Sequence, residues 1–435
     1  MSFRTISFLL VLSSIGNAAG TSESGIDLGR ARDYFLEAQL LCKKDGGELW
    51  GRSLCVPIAF IHPQTREVVT NLPDSAGTLV SQDGVFLGIW PDTLAVANSS
   101  AVWRGTRWTT LMWPLPEEKT ARASLMMHES FHNIQERLGF PAMTPSNAHL
   151  DSREGRIWLR LEWSALRLAL TSTGLEQQGA VRDALVFRTY RRQLCSGSAD
   201  SESRMEMHEG LAEYTGIRLC GLSADSARKH LAGDLYETCA NAVSFISTFA
   251  YWSGPAYGLL LDEWGGTWRK GLTSDMDLGK LLQTALGLEI PNDPGAAIEE
   301  IAARYGGATV RAEELAREQE HNRKLADFRV RLVDGPVLIL PLAQMNIQYD
   351  PRGMVSMDSL GTVYPTIRIS DIWGIVEVSG GGALMSASWT SLRVPAPTDT
   401  TAKQVKGDGW VLRLSEDWYI IPADRPGDFT LKSRR

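Results

Sequence analysis

The stretch Met126-Met127-His128-Glu129-Ser130-Phe131-His132 holds two histidines and a glutamate in the spacing H-E-x-x-H. On a helix, residues four apart share one face about a turn from each other. His128 and His132 can therefore turn ring nitrogens to one Zn²⁺, with Glu129 on the adjoining face. A carboxylate there can take the proton of a water that the metal polarises. Leu125, Met126, Phe131 and Leu138 are the apolar residues that would anchor such a helix in a core.

Two imidazoles do not complete a zinc site, which needs a third protein ligand and an open position. Two carboxylates are candidates. Glu162 lies on a helix expected over about 152–171, among Trp158, Leu161, Ala165 and Ala169 and opposite a stripe of Arg156, Arg160, Ser164 and Arg167. A carboxylate on an apolar face demands a cation or a metal. It either pairs with a buried arginine or looks into the active site. Glu209 lies in His208-Glu209-Gly210-Leu211-Ala212-Glu213-Tyr214, within a helix expected over 205–219. Gly210 beside it would let another helix come close, and Glu213 adds a carboxylate one turn on.

These residues have to be carried by a chain of 435 residues, 43% of them hydrophobic, enough for a large core and more than one domain. The net charge of −7 gives no electrostatic case for nucleic acid. Arg4, the apolar run 6–15 and the small residues Asn17-Ala18-Ala19-Gly20 read as a signal peptide over 1–20. A mature N-terminus between Ala19 and Ser22, a chain without a membrane span, and a secreted or periplasmic location are expected. In an oxidising compartment Cys42 and Cys55, flanking a turn-rich loop, form the first expected disulfide. Cys220 with Cys239 is the second, leaving Cys195 odd.

After a helix over 26–41, short β-branched and aromatic runs occupy 54–112: 56–61, 68–69, 85–89, 94–96 and 108–112. They predict a twisted antiparallel or mixed sheet, ended by Trp113-Pro114-Leu115-Pro116. Glu117 and Glu118 then open the motif helix, and Gly139-Phe140-Pro141 stops it. Ser196–Ser203 reads as a polar loop. Helical texture continues to Phe328, and 330–332, 337–340, 367–369, 374–378, 410–414 and 418–421 read as strands. The expected class is α+β: a catalytic domain over 21–328 with a sheet and a helical bundle, then a small all-β domain over 329–435.

The motif with the Glu209-Gly210-Leu211-Ala212-Glu213 stretch resembles the gluzincin branch of zinc metallopeptidases, which includes thermolysin and the aminopeptidase N type. There the third ligand lies in Asn-Glu-Gly-x-Ala or Asn-Glu-x-x-x-Asp, so His208 replaces the usual Asn and Glu213 the Asp. The resemblance implies a zincin-like domain, Glu209 as third ligand, and Glu213 as the carboxylate behind a zinc histidine. Tyr251-Trp252-Ser253-Gly254 is similar to the family's Tyr-x-Lys-Gly, with Ser253 for the Lys, which implies Tyr251 as oxyanion donor. Tyr257 is the second candidate. The resemblance also implies that the strand 107–112, just before the motif helix, is a sheet edge that can pair with an extended substrate.

It spans about a third of the chain, with a longer gap from His132 to Glu209 than in the family and no Gly-x-Met-Glu-Asn upstream. The function it implies is an exported zinc-dependent peptidase acting on peptide or protein substrates, with Glu129 as general base. The alternatives are an exported binding or scaffold protein with an inactive zincin-like domain, and a zinc hydrolase acting on a non-peptide amide.

Overall fold

The computed structural model describes residues 25–434 except 144, 294, 296, 350–352 and 398–403, and only the backbone of residue 240. The expected signal peptide over 1–20 lies outside the described residues. The chain is α+β and divides into two compact units between Arg311 and Ala312.

The first unit opens with helix α1 (Leu28–Asp45), capped by the Asp27 side chain on Arg30 N. Six strands follow: β1 (Ile58–Ile61), β2 (Glu67–Thr70), β3 (Val80–Gln82), β4 (Val85–Ile89), β5 (Ser99–Trp103) and β6 (Thr106–Met112). Side chains alternate between the faces of a strand. Ile58 and Phe60 of β1 accordingly join the main core, where Phe35 of α1 stacks on Phe60 with ring centroids 4.2 Å apart. Ala59 and Ile61 join a second cluster with Trp90, Trp103 and Trp108 on the opposite face. A strand buried on both faces cannot lie at an exposed rim, and β1 lies inside the sheet order β3-β4-β2-β1-β6-β5.

That order is mixed, since β6 runs parallel to β1 and antiparallel to β5. It corrects the expectation that 107–112 is an edge. β5 covers the far side of β6, with Ala101 opposite Trp108, so the edge strand is β5. The strand expected over 94–96 is a loop instead. Its carbonyls are taken by side chains, Ala95 O by Trp90 Nε1 and Leu94 O by Arg66 Nη2, so they are unavailable to a ladder.

Helix α2 (Lys119–Gln135) carries the motif, with the Glu118 carboxylate accepting from Thr120 N at 2.8 Å and from Ala121 N as its N-cap. Met126, Met127, Phe131 and Ile134 are buried along it. Burying each such side chain is worth roughly 1.5–3 kcal/mol, ample to fix the rotation of one helix. The rest of the unit is helical: α3 (Arg153–Thr171), α4 (Gly174–Gln193), α5 (Ser198–Met205), α6 (Leu211–Leu219), α7 (Ala224–Asn241), α8 (Ala250–Trp264), α9 (Leu278–Leu286) and α10 (Ala297–Arg304). The polar loop expected over Ser196–Ser203 is thus mostly helix. Its Glu202 and Ser203 are buried, with Glu202 held by Arg191 and Ser203 by Arg192, so polarity there does not mean exposure.

The expected solvent stripe of α3 is corrected in the same way. Arg156 and Arg160 are buried, and the Arg156 guanidinium lies 4.0 Å over the Phe245 ring and donates to Ala242 O. Glu162 is fully buried and pairs with two buried arginines. Arg191 Nη1 reaches its Oε2, and Arg188 Nη1 lies 3.3 Å from its Oε1. The Tyr257 hydroxyl donates to Oε1 at 2.7 Å.

Cys42 and Cys55 are joined by a disulfide. Cys220 is not bridged to Cys239; it is a buried thiol 3.1 Å from Ile217 O. The bridge closes a loop with a sequence separation of 13. Replacing both cysteines by Ala should therefore lower unfolding free energy by about 3 kcal/mol, read from urea titrations of non-reduced protein. Native protein should also resist alkylation at both positions until reduced.

Most of helix α11 (Gly307–Arg329) belongs to the second unit. The boundary lies upstream of the 328/329 expected because Leu325 and Phe328 pack with Leu332, Met357, Val363 and Leu384 of that unit. The strand expected over 330–332 is a wide helical turn, Val330–Asp334, that continues α11. Beyond it the unit is β-rich. A seven-stranded and a five-stranded sheet share one core, with Leu340 and Val394 from the first and Val376, Trp410 and Leu412 from the second. No described helix of the chain is long and apolar enough to cross a membrane.

Candidate metal centre

Helix α2 supplies the first two donors. Asn133 stitches it to β6, donating to Arg107 O at 3.1 Å and Thr109 Oγ1 at 3.2 Å. With the apolar face of α2 buried, His128 and His132 point together, Nε2 to Nε2 3.1 Å. The third donor arrives on a five-residue π-turn, Glu206–Gly210, between α5 and α6. Glu209 Oε2 lies 3.7 Å from His128 Nε2 and 3.4 Å from His132 Nε2. Ligands at zinc bond lengths and tetrahedral angles stand about 3.3 Å apart, and the three separations bracket that value. His128, His132 and Glu209 can therefore hold a metal ion.

Each imidazole uses its other nitrogen to fix its direction. His128 Nδ1 is 2.7 Å from Glu213 Oε2, and His132 Nδ1 is 2.7 Å from Gln135 Oε1. Gln135 passes the constraint on, its amide donating to Met207 O at 3.2 Å and His208 O at 2.8 Å, both in the π-turn. Such partners set which nitrogen faces the centre. Gln135 is a contributor that the motif alone does not reveal, although it stands three residues after His132 on the same helix face.

Glu129 Oε2 is buried and has no hydrogen-bond partner among the described residues. A buried polar atom left unmatched is costly, and a bound cation with its water would supply what this oxygen lacks. Burial raises the Glu129 carboxyl above its ordinary range, against the pull of His128 and His132. Burial works in the same sense on Glu209, but there the charge of His132 and the hydrogen bonds of His128 and His132 prevail. They hold that carboxyl well below the usual range. The Tyr251 hydroxyl donates to Glu209 Oε2 at 2.7 Å, and its ring stacks on His128 with centroids 5.6 Å apart. Its proton is held tightly, first by burial and then by the Glu209 charge. His208 Nδ1 is 3.0 Å from Glu209 Oε1, but it is not aligned for a hydrogen bond.

The cluster thus brings together His128, Glu129, His132, Glu209, Glu213 and Tyr251. It leaves out Glu162 and Tyr257, which bond to each other in the buried ionic network. No protein-family model matches this chain, and neither does any curated protein or solved structure.

Helix α8 carries Tyr251 to Glu209 because two glycines touch. A Cβ on Gly254 would stand 2.3 Å from Gly210 Cα and 2.8 Å from its carbonyl carbon, and one on Gly210 would stand 2.8 Å from Gly254 Cα. Backbone cannot give way as a side chain can. Gly254→Ala should therefore cost at least 1–3 kcal/mol, roughly the penalty for overpacking, and should weaken metal binding by separating Tyr251 from Glu209. Gly179→Ala is the control, since nothing lies within 4 Å of its Cβ position in α4. It should stabilise the protein by up to about 1 kcal/mol. Urea unfolding of the three proteins decides both.

Proposed function

We propose that this chain is an exported, zinc-dependent metallopeptidase of gluzincin type with a zincin-like catalytic domain. The reading rests on one observation: two imidazole nitrogens and a carboxylate oxygen converge within electrostatic reach of Glu129, whose buried Oε2 has no hydrogen-bond partner among the described residues. Two nitrogen donors and one oxygen donor suit Zn²⁺. When bound, such a cation supplies Lewis acidity and makes a nearby water acidic enough to react at neutral pH.

The protein's own groups account for the rest. Glu129, buried and raised above its ordinary pKa, receives the proton of the attacking water and returns it to the leaving amine. Glu213 and Gln135 keep the two imidazoles in register through their Nδ1 atoms. Tyr251 is the hydroxyl this reading assigns to the carbonyl oxygen of the substrate. The outer side of β5, at the end of the sheet order, offers main-chain groups to an extended peptide by strand addition. Export agrees with the Cys42–Cys55 bridge.

The test is metal analysis of the purified chain beside its action on a mixed peptide library, with and without a chelator. About one zinc per chain and cleavage that the chelator stops and zinc restores are expected. A zinc-loaded chain that cleaves nothing in the library overturns the peptidase reading.

A further inference from the structure

Glu206, three residues before Glu209, is fully buried. Its carbonyl closes the π-turn by accepting from Leu211 N. A wide turn of this kind inserts a residue into a helix, is rare, and persists where its surroundings hold it. Arg188 of α4 forms a two-pronged pair with the Glu206 carboxylate, Nη1 to Oε1 at 2.8 Å and Nη2 to Oε2. The same guanidinium lies 3.1 Å from Asp277 Oδ2 and 3.3 Å from Glu162 Oε1, with its carbon 4.8 Å over the ring of Tyr257. Tyr257 is on α8, the helix that brings Tyr251 to Glu209. Arg188 therefore grips both elements that build the Glu209 side of the centre, while none of these contacts is to a donor atom.

Apolar side chains of similar volume often replace a buried ion pair with little loss of stability, because desolvation offsets much of what the pair gains. The pair has a directional property that apolar packing lacks. We propose that the Arg188–Glu206 pair is a positioning device that holds the π-turn in register and thereby sets Glu209 for the metal. The proposal rests on the reading that His128, His132 and Glu209 hold a metal.

The experiment compares the full chain with the double variant R188M/E206M, using Co²⁺ alone as the probe. The variant strands no carboxylate: Glu162 keeps Arg191 and Tyr257, and Asp277 keeps Arg192 and Ser203. Its unfolding midpoint should stay near that of the wild type. Co²⁺ affinity should fall about 10–100-fold, the visible absorption of the bound Co²⁺ should change, and the Leu211 amide should exchange faster in metal-free protein. A role in stability alone would move the midpoint and leave the spectrum as it was. A folded variant with wild-type affinity and spectrum overturns the proposal. Should the double variant not fold, Glu206→Gln, which keeps the shape, is expected to lower affinity several-fold and speed Leu211 exchange; no change in either overturns it. A wild-type chain that binds no Co²⁺ overturns the metal-site reading and with it the purpose of the pair. Unchanged Leu211 exchange in a folded variant overturns the proposal and leaves the metal-site reading intact.

Discussion

Glu129→Gln is expected to slow peptide hydrolysis by about 10²–10⁴-fold, the usual worth of a positioned proton-transfer group, and to leave bound metal in place. The amide keeps the volume of the carboxyl but cannot accept a proton. Glu129 is not among the three converging donors, and its Oε2 makes no hydrogen bond among the described residues. Removing its basicity therefore breaks no contact of that oxygen. Single-turnover rates and zinc content, measured on the same preparation, separate the two effects. Loss of zinc together with rate would mean that Glu129 is a ligand, and the roles assigned to the cluster would have to be redrawn.

Glu209→Ala and Glu162→Ala should fail in opposite ways. The first removes a donor oxygen that stands 3.4 Å from His132 Nε2 and accepts the Tyr251 hydroxyl. Its loss should leave a folded protein nearly free of zinc, a larger effect than the roughly 10–100-fold drop that follows loss of a supporting group. Glu162→Ala instead uncovers part of the charge of Arg191 and Arg188, both buried. Breaking a buried ion pair from one side costs about 3–5 kcal/mol. The protein that survives should still bind zinc. Zinc content and urea midpoints of the two variants make the comparison, and the reverse pattern would overturn Glu209 as a ligand.

How far the sequence carries depends on whether a feature is local. The helix of His128 and His132 is legible because its spacing, its apolar anchors and its acidic N-cap Glu118 lie within a few turns. Glu213 behind His128 is legible from the resemblance. Glu162 visibly needs a partner, but the arginines that supply it sit on α4, where buried Gln177, Asp183, Arg188 and Arg191 erase the amphipathic pattern. The rank of β6 inside the sheet depends on pairing with β5, whose Ser-Ser-Ala-Val-Trp carries a weak strand signal. The π-turn has no local signature at all. Its extra residue is compatible with an ordinary helix, and what accompanies it comes from other helices.

The contact of Gly210 with Gly254 has a consequence for mutational tolerance. Where main chain meets main chain, the spacing of two elements is set by covalent geometry and does not follow the repacking of side chains around them. Conservative changes elsewhere in the interior, such as Leu166→Val or Ile157→Val, should consume stability while leaving the dimensions of the centre unaltered. A library of such changes would drift towards unfolding before it drifted towards altered metal preference. Variation that retunes the chemistry would have to enter through the few residues that touch the donors themselves.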